Sequence, residues 1–184
     1  MPADPDVGTG GQPAATLRSD LTFQLGPLWG ARRFRVAASP GWALKAILVN
    51  GQDMTDTPLL FGSPSQSLKD VEVVLTDQVT TLTGTIRGST SSTYVFVFSD
   101  DRDRWYEGSR YYGTRPAVGG AFSIAGLPPG GYLAAAMDKL PDAMDPSQLI
   151  ADPDLLERLA RDASHVLLNE RQTTTVDLRV VSMQ

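Results

Sequence analysis

Apolar and polar positions alternate along this chain in short runs cut by Gly, Pro, Asn, Asp and Ser, the period-two signature of half-buried strands. The pattern predicts strands over residues 20–25, 32–38, 43–49 and 71–75, with a short extended piece at 59–61. A second series covers 81–87, 94–98, 109–113, 122–124, 132–137, 164–168 and 173–181. In the last of these Val176, Leu178 and Val180 alternate with Asp177 and Arg179, so one face is wet and the other buried. Asn50-Gly51, set between extended residues, marks a hairpin because both positions tolerate positive φ. Only one stretch has helical spacing. Asp152 can cap it, Pro153 suits its first turn, and Leu155, Leu156, Leu159, Ala160 and Ala163 share one face, which predicts a short helix over 153–163 lying across a sheet face or end. Residues 1–16 carry Pro, Gly and Asp without periodicity and read as a disordered leader.

The two series echo one another. Gly26-Pro-Leu-Trp-Gly30 followed by Phe34 parallels Gly126-Leu-Pro-Pro-Gly130 followed by Tyr132, and Val71-Glu-Val-Val-Leu75 parallels Val176-Asp-Leu-Arg-Val180. The expectation is an all-β chain of two tandem antiparallel sandwiches. The first, over 17–78, has five candidate strands and is incomplete; the second, over 79–184, has seven and carries the helix. Composition agrees with strands and turns over helices. The 184 residues include 17 Gly, 13 Pro, 16 Thr and 14 Ser, and Asp outnumbers Glu by 17 to 4.

Charge narrows the partners. A formal net charge of −5, with Arg and Lys totalling 16 against 21 acids, lacks the clustered positive field that nucleic acid or an anionic membrane surface requires. The absence of Cys removes disulfides, thiolate nucleophiles and Cys-based zinc sites. No apolar run reaches the length of a membrane-spanning helix, and the first residues have neither a basic nor an apolar signal region. The chain is therefore expected either to be cytoplasmic or to be a piece of something longer.

The run Gly119-Gly-Ala-Phe-Ser-Ile-Ala-Gly-Leu-Pro-Pro-Gly-Gly-Tyr-Leu133 reads physically as a strand, a Gly/Pro turn, and a second strand opened by an aromatic that covers the core. It closely resembles the G-x-F-x-(I/F)-x-G-L-P-P-G-x-Y signature of carboxypeptidase regulatory-like domains, which are seven-stranded, transthyretin-like, Ig-like β-sandwiches. Gly41-Trp-Ala-Leu-Lys45, Asn50-Gly-Gln-Asp-Met-Thr-Asp56, Val71-Glu-Val-Val-Leu-Thr-Asp77, Leu82-Thr-Gly84, and Val97-Phe98 with Trp105 resemble a bacterial branch found at the C-terminal end of long multi-domain proteins. The resemblance covers roughly residues 20–181. It implies a non-catalytic, extracytoplasmic accessory or cell-surface module, with a fold shared by some carbohydrate-binding domains and no catalytic residue to carry over. Trp29 and Arg32-Arg33 depart from it, standing where the first sandwich should carry its own Pro-Pro-Gly-x-Tyr turn. On this reading the chain begins inside, or just before, an incomplete sandwich, whose unpaired strand edges seek a protein partner or a second copy.

The candidate chemistry is sparse. His165 is the sole histidine and no G-x-S-x-G elbow accompanies it, so it reads as an edge residue and not a catalytic one. Asp100-Asp-Arg-Asp103 gathers carboxylates, but without the spacing of a calcium loop and with Arg102 and Arg104 to neutralise them; no metal and no cofactor are expected. Asp53-Met-Thr-Asp56 reads as turn and capping chemistry. The densest aromatic stretch is Trp105-Tyr-Glu-Gly-Ser-Arg-Tyr-Tyr112. Trp105, Tyr106, Tyr111 and Tyr112, with Asp101, Asp103 and Arg110 to orient hydroxyls, form the candidate ligand surface. Three readings of it stand: a glycan contact, a protein contact, or packing beneath a long loop.

Overall fold

The computed structural model describes residues 15–62, 67–138 and 146–181, and these are mostly strand with one α-helix. They divide into two compact units: Met1–Ala37 with Leu44–Leu75, and Ala38–Ala43 with Thr76–Gln184. All but the last two residues of the expected leader lie outside the described residues.

The first unit holds short strands in three small sheets. β1 (Thr16–Leu17) and β2 (Phe23–Gln24) form a hairpin; β3 (Gly30–Arg32) pairs with a later strand; β4 (Ala43–Val49) and β5 (Gln52–Asp53) are joined by the Asn50-Gly51 turn. Both turn residues adopt positive φ, at 50° and 77°, as the hairpin signal requires. β6 (Leu59–Phe61) completes the β3 pair, and β7 (Val71–Thr76) completes a three-stranded sheet in the order β5-β4-β7.

Two expected strands are shorter than their patterns. The stretch 20–25 is cut to β2 because Asp20 Oδ1 accepts from both Thr22 N (3.0 Å) and Thr22 Oγ1 (2.7 Å), and Leu21 takes a φ of 64°. This local turn competes with the ladder. The stretch 32–38 keeps the alternating burial of a strand, with Arg32, Phe34, Val36 and Ala38 half-buried, but only Arg32 joins a ladder. Its Phe34 ring meets Phe61 edge-on at 6.3 Å.

The second unit contains β8 (Thr81–Arg87), β9 (Tyr94–Ser99), β10 (Tyr112–Pro116), β11 (Ala121–Ala125), β12 (Gly130–Met137), α1 (Pro153–Asp162), β13 (Ser164–Leu168) and β14 (Thr173–Val181). The strand order is β10-β9-β12-β14-β8-β11, with β13 also on β12. β14 runs parallel to β8 over seven residue pairs and then reaches β12 with Val180 and Val181. It thereby links β8 and β11 to the sheet built on β9 and β12.

Side chains from β8, β9, β11, β12, β13 and β14 meet in one core that includes Leu82, Val97, Phe122, Ile124, Tyr132 and Leu178. Gly84 is needed there. A β-carbon at this position would strike the Val176 carbonyl and come within 2.8 Å of the Phe122 ring, which covers the glycine from the neighbouring strand.

A second core lies on the opposite face of β9 and β12. Phe96, Phe98, Leu133, Ala135 and Met137 pack there against Leu155, Leu156 and Leu159 of α1 and against Leu149 and Ile150 of the 3-10 turn before it. Asp152 caps the helix by accepting from Leu155 N at 3.0 Å, and Pro153 opens it. The helix ends one residue before the expected 163. β9 and β12 are thus apolar on both faces, which is why both read as continuous apolar runs instead of alternating ones.

The expected strand at 109–113 lies three residues later, at Tyr112–Pro116. Ser109 Oγ accepts from Tyr111 N at 3.3 Å and holds 109–111 in a turn, so the β-forming Tyr111 precedes the ladder. Pro116, which has no N–H, is tolerated because β10 is an edge strand.

The Gly126–Gly131 turn is clamped from two sides. Thr80 Oγ1 donates to Leu127 O at 2.5 Å, and the buried Tyr132 hydroxyl donates back to Pro128 O at 2.7 Å. A tyrosine bonding to the backbone a few residues upstream is the corner used by Ig-type sandwiches. Burial pushes the Tyr132 phenol above its ordinary pKa, so it stays a donor. Tyr132→Phe should lower the stability of this unit by about 1 kcal/mol. Urea unfolding followed by circular dichroism checks it: the midpoint falls at constant slope, whereas an unchanged midpoint would show that the corner contributes nothing.

Candidate functional site

The aromatic stretch begins where β9 leaves its sheet. Ser99 Oγ accepts from Asp101 N at 3.1 Å, and Asp101 caps a single 3-10 turn over Arg102–Arg104 by accepting from Asp103 N at 3.1 Å. The other Asp101 oxygen lies 3.2 Å from Arg104 Nε. This turn sends Trp105 back onto the sheet. Its Nε1 donates to Ser99 O at 2.7 Å, and its ring meets Phe98 edge-on at 5.4 Å.

Arginines occupy the ring faces. Arg102 stands 5.3 Å above the Trp105 ring and also pairs with Glu157 of α1, through a close Nε–Oε1 contact and an Nη2–Oε2 bond of 3.0 Å. The bonds from Arg102 hold the Glu157 carboxyl below the usual carboxylate range, and Glu157 raises the guanidinium in return. A depressed carboxylate pKa contributes stability at neutral pH that is lost as pH falls through the folded-state value. With both side chains exposed, salt screens that contribution. Arg104 and Arg110 stand 4.0 and 5.0 Å from the centre of the Tyr111 ring, and Arg110 Nη2 donates to Tyr111 Oη at 3.0 Å.

The four rings do not share one face. Tyr111 is 7% exposed and belongs to the core between the strand layers, while Trp105 and Tyr112 pack against the helix-covered core. Tyr106 and Arg110 are half-buried, and Asp101 and Asp103 are exposed. What faces solvent is a polar rim of carboxylates and guanidiniums with ring edges below. Arg102 is compensated by Glu157 and Arg104 by Asp101, and among the described residues no three His, Asp or Glu side chains converge as a metal site requires. Glu157 is the member that sequence reasoning missed: it lies 55 positions from Arg102, with no local spacing to signal the pairing.

The remaining candidates lie on other elements. Thr55 is buried, its Oγ1 accepts from Ile47 N at 2.9 Å, and Asp53 Oδ1 accepts from Thr55 N at 2.9 Å, so this acidic loop closes the β4–β5 hairpin. His165 is exposed on β13. Where β12 exchanges β13 for β14 there is an open hollow of about 440 Å³ whose lining includes Asp162, Ser164, Asp177 and Arg179. On the outward face of β8 and β14, Thr83 and Thr175 hydroxyls lie 3.3 Å apart and Thr85 donates to Asp177 at 2.6 Å. No helix among the described residues is long and apolar enough to cross a membrane.

No family model matches the chain, and no curated protein does. The geometry therefore carries the functional argument. Trp105→Ala removes the ring from Phe98 and leaves the Ser99 carbonyl without its donor, and should destabilise the second unit by about 3 kcal/mol. Thermal unfolding without any added ligand measures this; an unchanged midpoint would make the ring a surface group free for binding.

Proposed function

We propose that the chain is a non-catalytic interaction module of an extracytoplasmic or cell-surface protein, acting through β-sandwich edges on a protein partner or on itself. In this reading the second unit is a carboxypeptidase regulatory-like, transthyretin-like sandwich and the first is an incomplete one that precedes it in tandem along the chain. Its seven strands and its Leu-Pro-Pro-Gly turn closed by Tyr132 support the family assignment for the second unit. The extracytoplasmic location rests on the sequence resemblance alone.

One observation carries the interaction role. Among the described residues of the first unit the buried hydrophobic residues are Ile47, Val49 and Phe61, while Leu17, Leu21, Trp29, Leu60, Val73 and Leu75 are exposed, Leu21 at 77% and Leu60 at 73%. A unit with more large apolar side chains exposed than fully buried gains by covering them.

The second reading is a carbohydrate contact at residues 105–112, supported by the exposed Asp101 and Asp103 beside Tyr106 and Arg110. It is the narrower one, because Tyr111 and Trp105 are engaged in packing. Light scattering of the purified chain from micromolar to millimolar concentration tests the leading reading. The mass should rise above that of a monomer with concentration; a constant monomer mass contradicts self-association.

A further inference from the structure

β8 and β14 carry two arginines side by side. The parallel ladder between these strands runs without a break from Thr173–Thr81 to Arg179–Arg87, and every pair of it lies inside both strands. Partners in such a ladder project from the same face of the sheet. The two preceding outward pairs show it directly: the Thr83 and Thr175 hydroxyls lie 3.3 Å apart, and Thr85 donates to Asp177 at 2.6 Å. Arg87 and Arg179 therefore stand opposite each other on the outward face, both exposed, on strands about 4.8 Å apart. Like charges directly opposite are destabilising. Arg102 and Arg104 have carboxylates to answer them, but among the described residues neither Arg87 nor Arg179 has a hydrogen-bond or ion-pair partner. We propose that Arg87 and Arg179 form a clamp for an oxyanion, the phosphate or carboxylate group of a small ligand. This site lies wholly in the second unit and stands independently of the association assigned to the first.

Charge and geometry select the ligand. A guanidinium is a planar, permanently charged fork that matches two oxygens of a phosphate or carboxylate, so two adjacent forks can share one oxyanion and exchange their mutual repulsion for two attractions. The surroundings leave it room. On the β11 side the chain beside Ile86 and Arg87 is Gly119-Gly120, where the Gly120 carbonyl accepts from Ile86 N at 2.8 Å and no side chain is present to cover Arg87. On the other side Arg179 borders the open hollow of about 440 Å³, with Asp162 and Ser164 also in its lining, so the oxyanion can be the head of a larger polar molecule. Asp177 stands one pair back on the same face. Its carboxylate is held by Thr85 Oγ1 and makes no ion pair with either arginine, but its charge opposes the bound anion. A long polyanion does not fit, since a chain of net charge −5 repels it beyond these two arginines. Both arginines are exposed and screened by salt, which places the affinity for the oxyanion alone in the millimolar range.

NMR titration of the isotope-labelled full chain tests this, with inorganic phosphate and succinate as probes and chloride at matched ionic strength as the control; the amide spectrum confirms that each variant folds. The Nε–H signals of Arg87 and Arg179 should shift saturably with phosphate, succinate or both, and not with chloride. Saturation by phosphate alone identifies a phosphate head group, and saturation by succinate alone a carboxylate; either supports the clamp. Arg87→Gln and Arg179→Gln, each read at the remaining arginine, should weaken binding about tenfold. Asp177→Asn, which removes the opposing charge and can still accept from Thr85, should tighten it. No saturable shift with either oxyanion overturns the clamp. Affinity unchanged in both arginine variants shows an adventitious ion only and overturns it equally.

Discussion

The second unit depends on β12 having neither a free face nor a free long edge. β9 runs along one side of it, and β13 followed by the end of β14 takes the other. Its two faces supply side chains to separate cores, one shared with the opposing strands and one with α1. A strand so enclosed needs small residues where two layers close on it, and Ala134, Ala135 and Ala136 provide them. Near its start the Tyr132 hydroxyl donates to the Pro128 carbonyl and ties the strand to the turn from β11. The Trp105–Tyr112 stretch is built outward from the same platform, with Trp105 resting on Phe98 of β9 and Tyr111 entering the inner core.

The first unit has the opposite balance. Its strands are short, its sheets are small, and its apolar residues divide between a minimal core and the surface. Burial of apolar area is the main favourable term in folding, so a unit that leaves this much uncovered has stability to gain from any surface that completes it. The second unit is thus the better-covered of the two, and the proposed association falls to the first.

The second unit was the more legible in sequence. β8, β13 and β14 match their patterns residue for residue, and α1 is one residue shorter, because alternation, capping Asp152 and Pro153 act locally. The displacement of β10 came from the Ser109 side chain, whose bond to Tyr111 N outweighs the β preference of the tyrosines. In the first unit, Asp20 and Thr22 shortened one strand by the same kind of side-chain competition. The 32–38 run is a different case: its alternation was legible and its burial alternates, but only Arg32 enters a strand ladder. At the candidate site the aromatic cluster and its arginines were visible, yet the partition of the rings between two cores was not. That partition follows from where β9 and β10 leave their ladders, and the Arg102–Glu157 pair from how α1 lies on β9 and β12, both tertiary facts.

Native-state hydrogen exchange at several protein concentrations tests this division of labour most directly. Amides of β9 and β12 should exchange only through global unfolding, at rates independent of concentration, while those of the first unit's strands should exchange fast in dilute solution and gain protection as concentration rises. Concentration-independent protection throughout the first unit, or local opening in β12, would contradict it.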